Sequence, residues 1–335
     1  MSEERTKKDP FSFAGELNYK HADQAYSNQS FWQDVFLRLA ANRVATISAV
    51  IILLVILFAL LAPVFSSYSY KEVNTAASNL PPRVPGLEKL GFMDGTFGGK
   101  DLYAMKGMKD VYHYFGTDNL GRDVWTRCAM GCRISLLIAA IAVVIDIFIG
   151  IVYGMIAGYF GGSVDLIMMR VIEIISGIPT LVVLTLLLLI LKPGLTSIII
   201  AMVFSGWISM SRIVRAQTLK LKNMEYVLAS RTLGASSFRI LREDILPNTL
   251  GQIIVTFMFS IPNAIFTEAF LAFIGLGVPA PLASLGTMIN DGYKSAMVYP
   301  YMVVLPIIVL GLLMLCFNLF ADGLRDAVDP QMKTL

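Results

Sequence analysis

The sequence predicts an all-α polytopic membrane protein with six spans, and three observations carry that prediction. Hydrophobic residues make up 56% of the 335-residue chain and charged residues 15%, where a soluble domain holds about half and about a quarter. The apolar excess is gathered into six runs that each reach the ~20 residues a helix needs to cross a ~30 Å hydrocarbon core. Lysine and arginine cluster in the 1–43 and 215–249 segments, while the short loops after the third and fifth runs hold only Lys192 and Lys294. By the positive-inside rule both termini and the 215–249 loop are cytoplasmic. A net charge of +3 is too small to suggest a nucleic-acid partner.

In chain order, residues 1–29 read as a cytoplasmic tail with no cleavable signal, since no short apolar segment with a small-residue cleavage site precedes the first run. In segment 30–43, Phe31, Trp32, Val35, Phe36 and Leu39 recur at helical spacing behind Ser30 as N-cap. That pattern predicts an elbow helix in the membrane interface or, alternatively, a cytoplasmic helix packed on a partner. The first span covers 44–65. An extracytoplasmic segment, 66–133, follows. Its 66–115 part carries Pro81, Pro82, Pro85, Gly91, Gly95, Gly98 and Gly99 and reads as an ordered loop of turns. It contacts an external partner, covers the pathway or decorates a narrower group.

The core, 134–322, holds spans at 134–158, 164–191, 195–214, 250–276 and 300–321, with 323–335 as a cytoplasmic tail. The third span is interrupted by Gly177, Ile178 and Pro179 and the fifth by Pro262. A proline removes a backbone hydrogen bond that neighbouring helices must make good inside a bilayer. Kinks are therefore expected at both places, where they line a cavity or hinge or serve packing alone.

Charges inside spans are functional suspects, because each costs ~2.5–3.5 kcal/mol at the bilayer centre. They are Asp146, Asp165, Arg170, Glu173 and Glu268. Arg170 and Glu173 are placed to pair on one helix face, and Asp165 and Arg170 lie near the cytoplasmic interface. Asp146 is deeper, without a partner in its own helix, and faces a water-filled pathway or bonds a neighbouring span. A proton relay would want a second deep carboxylate. Asp146, Pro179, Pro262 and Glu268 are the pathway or gate candidates.

No catalytic constellation is found. The phosphate cradle GxxxxGK[ST], HExxH, GxSxG and paired histidines are all missing from the sequence. Cys128, Cys132 and Cys316 have no metal-site spacing and read as packing residues. The expectation is a non-catalytic chain that binds no metal or cofactor.

The 215–249 loop is more telling. Glu225 to Asn248 reads as a short helix, a glycine break at Gly234, a second short helix with Phe238, Arg239 and Arg242, and Pro247 opening span five. Ala229, Ser230, Gly234 and Ala235 allow close approach by another surface, and the glycine permits a backbone turn other residues resist.

At these residues the sequence resembles the permease subunits of bacterial ATP-binding-cassette importers. Their cytoplasmic signature is Glu-Ala-Ala, three residues, Gly, nine residues, then Ile-x-Leu-Pro. Ala229, Gly234, Leu246 and Pro247 match it in register; Leu228 replaces the glutamate, Ser230 the second alanine and Asp244 the isoleucine. Gly116-Thr117-Asp118, Gly121-Arg122-Asp123-Val124, Gly158 to Gly162, Glu268 to Val278, Ser284-Leu285-Gly286 and Phe317 to Pro330 are similar to the C-type subunit of the dipeptide and oligopeptide group.

The resemblance spans about residues 30–330 and implies a type I importer permease fold in the bacterial inner membrane. It implies a B-type permease partner, with a peptide path between the two, and an extracytoplasmic peptide-binding protein. It also implies two cytoplasmic ATPases that use ATP and magnesium and dock on a coupling loop of Glu225, Leu228, Ala229, Ser230, Gly234, Ala235, Phe238, Arg239, Arg242, Leu246 and Pro247. Arg122 and Asp123 would lie on a surface helix at the outer face. The competing readings are a permease for nickel or another small solute, a membrane-embedded enzyme, and an autonomous proton-coupled carrier.

Overall fold

Long apolar segments in lipid must close their backbone hydrogen bonds within themselves. The computed structural model, which describes residues 31–328, is accordingly built from helices. Helix α1 (Phe31–Ala41) buries Val35 against Leu324, Ala327 and Val328 and leaves Trp32 and Phe36 exposed. Its expected N-cap, Ser30, lies outside the described residues. Asn42 separates α1 from α2 (Arg43–Phe65): its Oδ1 accepts the amide N–H of Val44 at 3.1 Å and of Ala45 at 3.2 Å.

The segment between α2 and Val124 is ordered, as its turn-rich sequence predicts, with little regular structure. It holds 3₁₀ turns at Thr75–Ala77 and Leu87–Leu90, an antiparallel pair β1 (Thr96–Phe97) and β2 (Lys100–Asp101), and a one-turn helix α3 (Leu102–Met105). Ala77, Leu80 and Tyr103 form its small core. Burial raises the Tyr103 hydroxyl above its ordinary range, keeping it a donor, and it donates to the Pro81 carbonyl at 2.8 Å. The segment rests on the 294–300 connection through Phe97, whose ring lies tilted 5.6 Å from that of Tyr299, and through Asn119, which donates to Ser295 at 2.9 Å.

The remaining helices are α4 (Val124–Phe160), α5 (Gly162–Ser176), α6 (Thr180–Leu191), α7 (Leu195–Leu221), α8 (Glu225–Thr232), α9 (Ser237–Leu276), α10 (Leu285–Tyr293) and α11 (Tyr301–Val328). Among the described residues α2, α4, α7, α9 and α11 are each long and apolar enough to cross a membrane, and α5 with α6 make a sixth crossing if counted together. The outward faces are apolar: Leu53, Leu54, Phe65, Phe148 and Ile190 are all more than half exposed. Apolar surface on this scale belongs against lipid or other chains.

The third run breaks at 177–179, where a kink was expected, and α5 and α6 meet there at a bend of 79°. Gly177 ends α5, Pro179 has no N–H to continue it, and the residue before a proline is driven out of the helical region. Several expectations are corrected. Helix α4 begins at Val124 rather than near 134, and Arg122 and Asp123 lie before it rather than on a surface helix. Asp123 caps α4, its Oδ2 accepting the Thr126 N–H at 2.8 Å and the Thr126 hydroxyl at 2.7 Å.

The second short helix of the 215–249 loop is not separate from the helix that follows it. Residues 237–239 pass through a π turn, Ile240–Ile245, into Leu246 and Pro247 without a break. The π turn takes up the extra residue and the proline falls in the first turn of the next segment, where a missing N–H costs least. At Pro262 α9 stays helical. The loop between the fifth and sixth runs contains α10, capped by Ser284, whose Oγ accepts the Thr287 N–H at 3.2 Å. Helix α11 runs to Val328, into the segment expected as a tail; 329–335 and 1–30 lie outside the described residues.

Candidate functional site

Two regions carry the function-bearing residues, one at the α8–α9 corner and one in a cavity between helices. At the corner, Val227, Ile240 and Ile245 are fully buried against one another, with Tyr159 and Leu221 packed on them. This apolar pin holds α8 to the start of α9 and to the end of α4. Arg231 lies over the Tyr159 ring at 5.5 Å. The turn is closed by the paired bonds of a Schellman cap: Ala235 N–H donates to Ser230 O at 3.1 Å and Gly234 N–H to Arg231 O at 3.0 Å. Gly234 has φ +83° and nothing within 4 Å of where a Cβ would stand. Its identity is therefore set by backbone conformation rather than by crowding.

None of the residues expected on the coupling surface is buried. Glu225, Leu228, Ala229, Gly234, Phe238, Arg239, Arg242 and Pro247 are exposed, and Ser230, Ala235 and Leu246 are half-buried. Ser230, Gly234, Ala235 and Arg239 border a notch of about 270 Å³. Arg239 pairs with Glu243 at 2.8 Å across one helical turn. Leu233 is 88% and Phe238 73% exposed, a pair of large apolar side chains at a tip that the lipid-facing pattern does not explain. Leu233 was not among the expected residues; its place between two polar-rimmed helices was the available signal.

The second region is a cavity of about 720 Å³ bounded by α4, α5, α6, α7 and α9. Asp146 is in its wall. The neighbours of both prolines are there too: Ser176 and Thr180 flank the 177–179 bend, and Asn263 follows Pro262. The bend thus opens the space that α7 and α9 enclose. Gly206 of α7 makes room for Asp146, since a Cβ at that position would overlap the carboxylate. The Asp146 Oδ1 is buried and has no hydrogen-bond partner among the described residues.

Glu268 is elsewhere. It is fully buried and its Oε2 accepts the Ser135 hydroxyl at 2.7 Å, while Ser135 Oγ accepts the Leu285 N–H at 3.2 Å. It ties α4, α9 and α10 together and does not border the cavity. Asp165 pairs with Arg215 of α7 through both carboxylate oxygens, a contact that no spacing within one helix could reveal. Arg170 and Glu173 pair at 2.7 Å, as expected. The three cysteines are buried among apolar side chains.

Sequence reasoning missed a seam that positions all of this. Gly150, Gly154 and Gly158 recur every four residues on α4, so α7 approaches at backbone distance. A Cβ at 154 would meet Ser211 O at 2.5 Å and Arg215 N at 2.9 Å. The signal was the GxxxGxxxG spacing itself.

The 116–124 motif is a structural hub. Thr117 Oγ1 accepts the Leu80 N–H at 2.8 Å and donates to Ala77 O at 2.5 Å. Asp118 holds Arg122 at 2.7 Å and also pairs with Arg127, and Asp123 meets His113 Nδ1 at 2.9 Å.

Residues 150–334 match the family described as binding-protein-dependent transport system inner membrane component. Residues 30–82 match the N-terminal transmembrane domain of oligopeptide transport permease C. The chain is 45% identical over 304 residues to the oligopeptide transport system permease protein OppC of Bacillus subtilis, covering 91% of each chain. It is 42% identical over 305 residues to the dipeptide transport system permease protein DppC of the same bacterium, covering 91% of this chain and 87% of that one. Against OppC of Escherichia coli K12 the identity is 38% over 303 residues, covering 90% and 92%. An inward-facing crystal form of the MetNI methionine ABC transporter matches with TM-score 0.50 and 18% identity, over 61% of this chain and 96% of that one; the likeness is one of fold.

Proposed function

The chain belongs to the binding-protein-dependent transport system inner membrane components, and from that membership we propose that it is the C-type permease subunit of a peptide importer. It is a multi-pass membrane protein whose relatives are transport permeases rather than enzymes. On this reading a B-type permease completes the path, a peptide-binding protein delivers substrate from outside, and two cytoplasmic ATPases supply the work with ATP and magnesium. The chain sits in the bacterial cytoplasmic membrane with both termini and the α8–α9 corner inside. Residues 66–123 form the outer cap.

The observation that carries the reading is mechanical. The exposed corner is continuous with α9, which runs without a break from Ser237 to Leu271, and α9 also lines the cavity through Thr256 and Asn263. From Phe238 to Thr256 is about 27 Å of helix at 1.5 Å per residue. A rigid element of that length delivers a push on Leu233 and Phe238 to the cavity wall. The 79° bend between α5 and α6 gives the opposite wall a place to yield.

Gly234→Pro tests this. Proline holds φ near −65° and has no N–H, so it reverses the turn at Gly234 and deletes its bond to Arg231, while leaving the spans alone. Peptide uptake should be lost and the ATPase chains should no longer co-purify with the membrane subunits. Normal uptake together with normal co-purification would refute the coupling assignment.

A further inference from the structure

The α4–α7–α9 cavity contains only two charged side chains among its described lining residues, Asp146 and Arg212. Arg212 donates to Ser176 Oγ at 3.1 Å and makes no ion pair among the described residues. Asp146 is packed beside Gly206. Gly206 and Arg212 are six positions apart on α7, which is about 9 Å along the helix axis. The cavity therefore has a negative end and a positive end. Hydroxyl and amide groups, among them Ser205, Ser209, Ser260 and Asn263, line the space around them.

The negative end is unfinished. Asp146 Oδ1 is buried and unpartnered among the described residues, although polar groups surround the cavity. A carboxylate oxygen left so in a low-dielectric space is costly unless a donor completes it. The surrounding fold makes room for this carboxylate rather than removing it, since any side chain at Gly206 would collide with it.

Resting on the peptide-import reading, we propose that Asp146 is the subsite in the translocation cavity that accepts the free ammonium terminus of the peptide. An α-ammonium supplies three N–H donors and a positive charge on a small, unbranched head, which suits a single recessed carboxylate. Extended peptide advances ~3.3–3.6 Å per residue, so a chain of about three residues starting at Asp146 reaches the Arg212 end. That orientation sets the peptide's polarity in the cavity, ammonium at Asp146 and carboxylate toward Arg212. Side chains are left to the hydroxyl-lined walls, which make no sequence-specific demand.

The test uses the whole reconstituted importer in proteoliposomes, with trialanine and N-acetyl-trialanine as probes, each at a binding-protein concentration that saturates delivery. The wild type should import trialanine about tenfold faster or more than the acetylated form, the factor for one charge-assisted hydrogen-bonded contact. Asp146→Asn keeps the shape and removes the charge. It should slow trialanine by a similar factor and leave N-acetyl-trialanine at its wild-type rate, so that the ratio falls toward one, while Asp146→Glu restores a preference for the free terminus. Equal wild-type rates for the two probes would overturn the proposal without any variant. So would an Asp146→Asn importer that keeps the wild-type ratio, or one that slows both probes alike, which would mark a packing or protonation role. A wild type that imports neither probe would instead bring down the peptide-import reading and this subsite with it.

Discussion

Pro63 and Arg133 form a pair whose energetics follow from the backbone alone. Pro63 lies inside α2 and has no N–H, so the carbonyl four residues earlier, at Ala59, loses its intrahelical donor. Arg133 reaches across from α4 and donates Nε to Ala59 O at 3.2 Å and Nη2 to Leu60 O at 2.9 Å. Replacing Arg133 with methionine keeps an unbranched side chain against α2 and removes the donors, stranding the Ala59 carbonyl in apolar surroundings. Leaving such a group unpaired costs about 1–3 kcal/mol. In a Pro63→Ala background the helix supplies its own N–H at position 63, and Arg133→Met should cost little there. The two changes should therefore couple by about 1–2 kcal/mol, well above the ~0.3–0.5 kcal/mol scatter of independent sites. The assay is reversible unfolding of the four variants in bicelles, read by steric trapping or thermal melting. Equal costs of Arg133→Met in both backgrounds would refute the reasoning, since the guanidinium would then not be completing the carbonyl that Pro63 leaves open.

Three further stability predictions rest on the same kind of geometry. Gly154→Ala drives a Cβ into the α7 backbone at Ser211 and Arg215 and should destabilise by about 1–3 kcal/mol. Gly311→Ala on α11 has nothing within 4 Å and should be neutral or stabilising by up to about 1 kcal/mol; melting shifts of the same sign would contradict the seam. Ser135→Ala removes the donor to Glu268 and the acceptor of the Leu285 N–H, which should lower stability by about 1–3 kcal/mol and speed proteolysis around 277–300. An unchanged melting temperature and cleavage rate would show that α10 is held by other contacts.

How much of this was legible in the sequence depends on the range of each interaction. Hydropathy is a property of consecutive residues, so the six apolar runs were readable, and so was the helix at Phe31–Ala41. Gly234 was readable for the same reason: a left-handed turn between two short helices is a demand on one residue's own backbone. The 79° bend was half-legible, since Gly177 and Pro179 announced a break but not its angle. The continuity of α9 past Pro247 was not, because a π turn several residues upstream decides whether that proline opens a helix or sits harmlessly inside one.

The sequence by itself determined the class of protein, the number of apolar runs and the turn at Gly234, all consequences of local backbone and local hydropathy. Only the tertiary structure decided which charges are paired and which are not. Asp165 finds Arg215, 50 residues away, and Glu268 finds Ser135, 133 residues away. Asp146 settles beside a glycine, with one oxygen left unpartnered among the described residues. Those outcomes follow from how closely α4 and α7 approach and how α9 closes the cavity. In a bilayer that approach is governed by the fit of one helix surface to another, which no single segment encodes.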